Sequence, residues 1–229
     1  MHRHARICSM CYNLVVGGAM IIFDLDGTLW DSTVPVAESW NIIIEEETGV
    51  ADRLTPEDIS NVMGMTMTQI ADNLFSDIEE GARYDLAHKC EAYENEYIRR
   101  RGAKLYPGVP ETLEKLLDAG CKMAVVSNCQ EGYVTAFIES MHMERYFVDY
   151  EEWGRTGLDK AGNIRLVMER NGEDEAVYVG DIQRDSDSAH KAGIPCIYAA
   201  YGFGYISDAE AEIEYFEELP AALEELGFI

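Results

Sequence analysis

The 229-residue chain has no run of about 18 apolar residues, the length a helix needs to cross a bilayer. It is also poor in positive charge: 18 Lys and Arg stand against 43 Asp and Glu, a formal net charge of −25. Nucleic acid binding needs a surplus of cations on one face, so neither nucleic acid nor a membrane is an expected partner. Such a surface repels phosphorylated molecules at long range, although salt screens the effect beyond about 8 Å. Any phosphate site must therefore supply its own local cation. The six cysteines, at positions 8, 11, 90, 121, 129 and 196, show no disulfide-framework spacing. Reduced thiols in a cytoplasmic protein are the expectation. Internal repeats and low-complexity segments are absent as well.

What is present is ordinary for a soluble globular enzyme, with 47% hydrophobic and 27% charged residues. The length suits one large domain, or a domain with a smaller insert. Residues 1–19 differ from the rest, because His2, Arg3, His4 and Arg6 make them basic within an acidic chain. Asn13, Gly17 and Gly18 break the apolar run that a signal peptide would need. His2, His4, Cys8 and Cys11 are metal-ligand types without a supporting hairpin pattern, and are read as coincidence. Met20 is the expected natural start, with the preceding segment a poorly determined extension.

From Met20 onward the hydrophobic pattern divides the chain. Val36, Trp40, Ile43 and Ile44 form a helical stripe ending before Gly49. Thr55-Pro56-Glu57-Asp58 reads as a capped helix start, and Met67, Ile70, Ala71 and Leu74 mark another helix. A longer helix carries Leu86, Cys90, Tyr93, Tyr97 and Ile98 and ends in three arginines and Gly102. Residues 34–102 are therefore expected to be an all-helical insert. Beyond Pro107-Gly108, helices at 109–119, 131–141, 161–170 and 185–192 alternate with apolar strands at 123–126, 176–179 and 196–199. Short strands are expected near Phe147-Val148 and at 212–216, with a last helix over 221–226. Strands without polar alternation, separated by helices, indicate a parallel sheet covered on both faces. The expected architecture is an α/β core, residues 20–33 and 103–229, interrupted by a helical cap at 34–102.

Chemistry concentrates at the strand ends, where open parallel sheets place their sites. The first apolar run breaks into Asp24-Leu25-Asp26-Gly27-Thr28. Side chains two apart share one side of a strand, so both carboxylates are expected to leave its end together. Paired carboxylates repel unless a cation or a proton lies between them, and Gly27 lets the backbone turn so that amides can meet an anion. Later strands end in Ser127-Asn128 and in Gly180-Asp181, with Asp185 four residues on, and Lys160 stands at the entry to helix 161–170. Singly, each has a mundane reading as a turn former, helix cap or solvated lysine. Together they bring a nucleophilic carboxylate, hydroxyl and amide donors, a lysine and metal-type acids to one edge.

These residues resemble the four motifs of the haloacid dehalogenase superfamily of hydrolases, in its phosphoglycolate-phosphatase-like branch with a helical cap. Asp24–Thr28 resembles the first motif, Val125–Asn128 the second, Lys160 the third, and Val179–Asp181 with Asp185 the fourth. Ala161 stands where the family often has proline. The resemblance implies a Rossmann-like three-layer core and a Mg2+-dependent phosphatase acting on a small phosphorylated metabolite such as phosphoglycolate, a sugar phosphate or a nucleotide. It also implies roles: Asp24 as nucleophile, Asp26 as proton carrier and Lys160 as charge balance. Gly27, Thr28, Ser127, Asn128 and Lys160 would bind the phosphoryl group. Asp24, the Asp26 carbonyl, Asp181 and Asp185 would hold the metal. A sugar-phosphate mutase shares the four motifs, but Val62–Leu74 contains no Arg or Lys to form a basic substrate loop. A receiver-like phosphoacceptor domain, a more distant alternative, lacks a helical insert of this size.

Overall fold

Strand β1, Gly18–Phe23, lies at the centre of a six-stranded sheet in the computed structural model, which describes residues 18–229. The positions singled out at 2, 4, 8 and 11 lie outside the described residues. The other strands are β4 (Cys121–Ser127), β5 (Asp149–Glu152), β6 (Ala176–Gly180), β7 (Cys196–Ala199) and β8 (Ala211–Ile213). Their order is β5-β4-β1-β6-β7-β8, and every neighbouring pair is parallel. Met20 through Phe23 are fully buried, as expected of a strand covered on both faces.

Helices α5 (Val109–Asp118), α6 (Tyr133–Met141), α8 (Lys160–Asn171), α9 (Gln183–Ala192) and α10 (Leu219–Glu225) alternate with these strands. Two apolar layers result: Ile21, Phe23 and Val125 belong to one, Ile22, Ala124 and Val126 to the other. The alternation along β1 and β4 makes this a three-layer α/β core. The chain runs outward from β1 to β4 and β5, then returns to the other side of β1 for β6. The carboxyl ends of β4, β1 and β6 thus sit side by side where the strand order reverses, the usual place for a site in such sheets.

Between the sheet's first and second strands lie four helices: α1 (Thr33–Thr48), α2 (Pro56–Ser60), α3 (Met67–Leu74) and α4 (Glu80–Arg101). Thr55 and Asp58 form a reciprocal capping box at α2, and α4 ends on Arg99, Arg100 and Arg101 before Gly102. The insert leaves and returns through a two-stranded antiparallel ribbon, β2 (Trp30–Asp31) paired with β3 (Lys104–Leu105). None of the described helices is long and apolar enough to cross a membrane.

Two elements differ from the sequence pattern. The strand expected at Phe147-Val148 lies at Asp149–Glu152, a charged run. Arg155 and Arg170 pair with Glu151, and backbone amides of Gly132 and Val134 donate to Glu152, so ion pairs replace apolar burial there. The four-residue helix α7, Trp153–Thr156, follows it without an apolar stripe to announce it. Near the C-terminus β8 stops at Ile213, and Phe216 opens a 3-10 turn rather than extending the strand.

Candidate functional site

Asp24 is the first residue beyond β1, and its amide donates to the Val179 carbonyl of β6 (2.8 Å), which fixes it at the sheet's edge. The chain then turns tightly: the amides of Thr28, Leu29 and Trp30 all donate to the Leu25 carbonyl, and that of Gly27 to the Trp30 carbonyl. The Asp26 carbonyl takes none of these bonds. Gly27 has φ +83°, and a Cβ there would stand 2.1 Å from Asp181 Oδ2, so only glycine lets the two loops close on each other.

Asp24, Asp181 and Asp185 converge, each offering an oxygen within 4.8 Å of the others'. All three are buried. Asp181 follows β6 and accepts from the Phe203 amide (2.8 Å) and the Thr28 hydroxyl (3.5 Å). Asp185 lies in the first turn of α9, where its Oδ2 accepts from the amides of Asp181 (3.0 Å) and Ile182 (3.2 Å). Its capping role and its place in the cluster are compatible, because the other oxygen, Oδ1, faces Lys160 Nζ at 2.6 Å. Lys160, the first residue of α8, also lies 3.0 Å from Asp24 Oδ1 and has the Tyr178 ring beside it.

The electrostatics are one-sided. Burial pulls the Lys160 pKa down, but the Asp185 and Asp24 carboxylates outweigh it and hold the ammonium charged. Burial, reinforced by Asp185 and Asp24, pushes Asp181 well above the carboxylate range. Burial also raises Asp24, against the pull of Lys160. One ammonium among three carboxylates leaves a deficit of two positive charges. The donor set is entirely oxygen, the preference of a hard divalent cation. These residues therefore fit magnesium.

Asp26 is separate from this cluster. Its Oδ1 accepts from Trp30 Nε1 (2.8 Å), the Tyr133 hydroxyl (3.0 Å) and the Ser32 hydroxyl. Tyr133 and Ser32 are themselves bonded (2.9 Å). Burial pushes the Asp26 carboxyl up to about 6, the donors from Ser32, Tyr133 and Trp30 pulling the other way. Two carboxylates two residues apart thus sit in different environments, one set against a lysine and fellow acids, the other near the pH where it can give and take a proton.

Ser127 ends β4, buried, and lines with Asp26 a cavity of about 60 Å³ roofed by the helical insert. Its apolar lining includes Trp40, Ile59, Met63 and Ile70, and its polar lining Glu94 and Gln130. Asn128 lines the same cavity, and its amide reaches the Gly64 carbonyl of the insert (3.3 Å), as does Arg184 (3.4 Å). Of the residues picked from sequence, Asp24, Lys160, Asp181 and Asp185 come together, Asp26, Ser127 and Asn128 share the adjoining cavity, and Thr28 braces Asp181. Three others escaped sequence reading. Tyr133 and Ser32 hold Asp26, and Glu94 accepts from Gln130 Nε2 (2.7 Å) and Trp40 Nε1.

The profile of the haloacid dehalogenase-like hydrolases matches residues 21–199. The chain is 29% identical over 215 residues to a phosphoglycolate phosphatase of Agrobacterium fabrum, covering 89% of this chain and 91% of that one. It is 27% identical over 198 residues to the phosphoglycolate phosphatase of Pseudomonas syringae, covering 81% and 71%. A haloacid dehalogenase-like family protein from Streptococcus pneumoniae superimposes with a TM-score of 0.74 at 19% identity, over 90% of this chain and 99% of that one.

Proposed function

The chain belongs to the haloacid dehalogenase-like hydrolase family, and from that premise we propose that it is a magnesium-dependent phosphatase of a small phosphomonoester, acting through an aspartyl-phosphate. The observation that carries the reading is the division of labour between Asp24, paired with Lys160 at 3.0 Å, and Asp26, held apart by three donors on one oxygen.

In the first step a carboxylate oxygen of Asp24 bonds to phosphorus while the bond from phosphorus to the ester oxygen breaks. Asp26 delivers its proton to that departing oxygen. In the second step Asp26 takes a proton from water as the water oxygen attacks the phosphorus of the aspartyl-phosphate, which restores Asp24 and releases phosphate. Ser127 and the amides of the Gly27-Thr28 turn hold phosphoryl oxygens, and Lys160 offsets negative charge on Asp24 and the phosphoryl group. Asn128 contributes by holding the insert against the core through Gly64. Asp24, Asp181, Asp185 and the Asp26 carbonyl would hold magnesium, which when bound supplies the missing positive charge.

The test is a screen over p-nitrophenyl phosphate, phosphoglycolate, sugar phosphates and nucleotides. Wild type should release phosphate with magnesium, stop in EDTA, and resume when magnesium is restored, whereas Asp24→Asn should stay at background. Full activity in chelator, or a wild type indistinguishable from Asp24→Asn on every compound, would overturn the assignment.

A further inference from the structure

The proposed proton donor Asp26 opens onto the cavity beneath the insert, so the leaving group of a phosphoester on Asp24 must enter it. None of the described residues lining that cavity is Lys, Arg or His. Among the described residues, its ionisable groups besides Asp26 are acids or weak acids, Glu94, Cys129 and Tyr133. Glu94, from α4, is buried with both carboxyl oxygens taking hydrogen bonds, one from Gln130 and one from Trp40. Lys160 is engaged by Asp24 and Asp185. Arg184 lines a different opening, beyond Asn128, with Asp159 and Asp187 beside it.

Resting on the phosphatase reading, we infer that this pocket selects phosphomonoesters whose leaving group is uncharged and largely apolar. An anionic group entering here meets an apolar wall, with no cation among the described lining residues to repay its lost hydration. A hydroxyl or an alkyl end meets no such penalty: the first can bond to Glu94 or Gln130, the second packs against Trp40 and Met63. The glycolate end of phosphoglycolate is thus the wrong charge for this pocket, although the chain's relatives carry that substrate in their names.

Three esters of similar length separate the cases: phosphoglycolate, 2-hydroxyethyl phosphate and propyl phosphate, with p-nitrophenyl phosphate as the general reporter. Wild type should show kcat/KM at least tenfold higher for both uncharged esters than for phosphoglycolate. Met63→Lys, which brings an ammonium into the cavity at a partly exposed position, should raise phosphoglycolate relative to 2-hydroxyethyl phosphate by threefold or more, whereas the uncharged Met63→Gln should leave that ratio as in wild type. A wild-type preference below tenfold, or a ratio unmoved in folded Met63→Lys or moved equally by Met63→Gln, overturns the inference while leaving the phosphatase intact. Absence of hydrolysis of all four compounds overturns the phosphatase reading, and this inference with it.

Discussion

Removing one acid from the Asp24–Asp181–Asp185 cluster should make the metal-free protein more stable, not less. At the 4.8 Å limit that encloses the three oxygens, each carboxylate pair costs about 3.5 kcal/mol at an effective dielectric of 20. Asp181→Asn relieves two such repulsions and gives up one attraction to Lys160, a net gain of roughly 3.5 kcal/mol with all three acids ionised. Protons taken up by the raised carboxyls already relieve part of that repulsion in the wild type, so a gain of about 1–2 kcal/mol is expected. The amide can still accept from the Phe203 N–H through its own oxygen. For a chain of this size that is a rise in Tm of about 2–8 °C in EDTA. Magnesium at a hundred times its Kd should add about 2.7 kcal/mol to wild type, or about 5–10 °C, and much less to the variant. The measurement is thermal unfolding by circular dichroism, with EDTA and across a magnesium titration. A variant that melts at or below wild type in EDTA, yet shows the full magnesium shift, would refute both the charge count and the cation site.

Other perturbations probe other parts of the site. Tyr133→Phe removes a donor from Asp26 and should raise its pKa above about 6, by about half to one unit for a bond worth roughly 1 kcal/mol; the alkaline limb of the kcat/KM profile, where the proton donor is lost, should move upward by that amount. Burial pushes Glu94 up to about 8 from its ordinary 4.5, against its donors Gln130 and Trp40. The native state therefore holds a proton that the unfolded chain releases, and stability should fall as pH rises from about 5 to 8; the difference in unfolding free energy between wild type and Glu94→Gln should change by a few kcal/mol over that window. Lys160→Met strands Asp24 and Asp185 without their shared cation and should cost about 3–5 kcal/mol in urea unfolding without magnesium. An unchanged midpoint would show that the ammonium does not compensate the cluster.

The residues that sit at strand ends were readable because a strand and its exit turn are local. Asp24-Leu25-Asp26-Gly27 declares itself by a break in an apolar run, and Gly180-Asp181 likewise. The helices of the insert were also legible, since their apolar spacing and caps, such as Thr55 with Asp58, are properties of short windows. Tyr133 and Glu94 were not. Tyr133 reaches Asp26 across 107 positions, and nothing in the neighbourhood of either marks them: Tyr133 reads as the first apolar residue of a helix, and Glu94 as one acid among many on a charged helix. Their importance comes from burial, which only the packing of α4 and α6 against the first loop creates. The charged strand β5 was displaced by two residues in the sequence reading for a related reason. Its burial rests on arginines from α7 and α8, partners a hydrophobic pattern cannot register.

The ribbon of Trp30–Asp31 with Lys104–Leu105 bears on how the chain finds its shape. Strands β1 and β4 pair in register, Ile22 against Ala124, across about a hundred intervening residues. Once the ribbon is zipped, the path between the same two residues shortens to about 27. A fourfold shorter loop lowers the entropic barrier to joining its ends by about 1.2 kcal/mol. The two residue pairs at the neck therefore make the central pairing of the sheet nearly a local event, and substitutions that unzip them should slow folding more than their few contacts suggest.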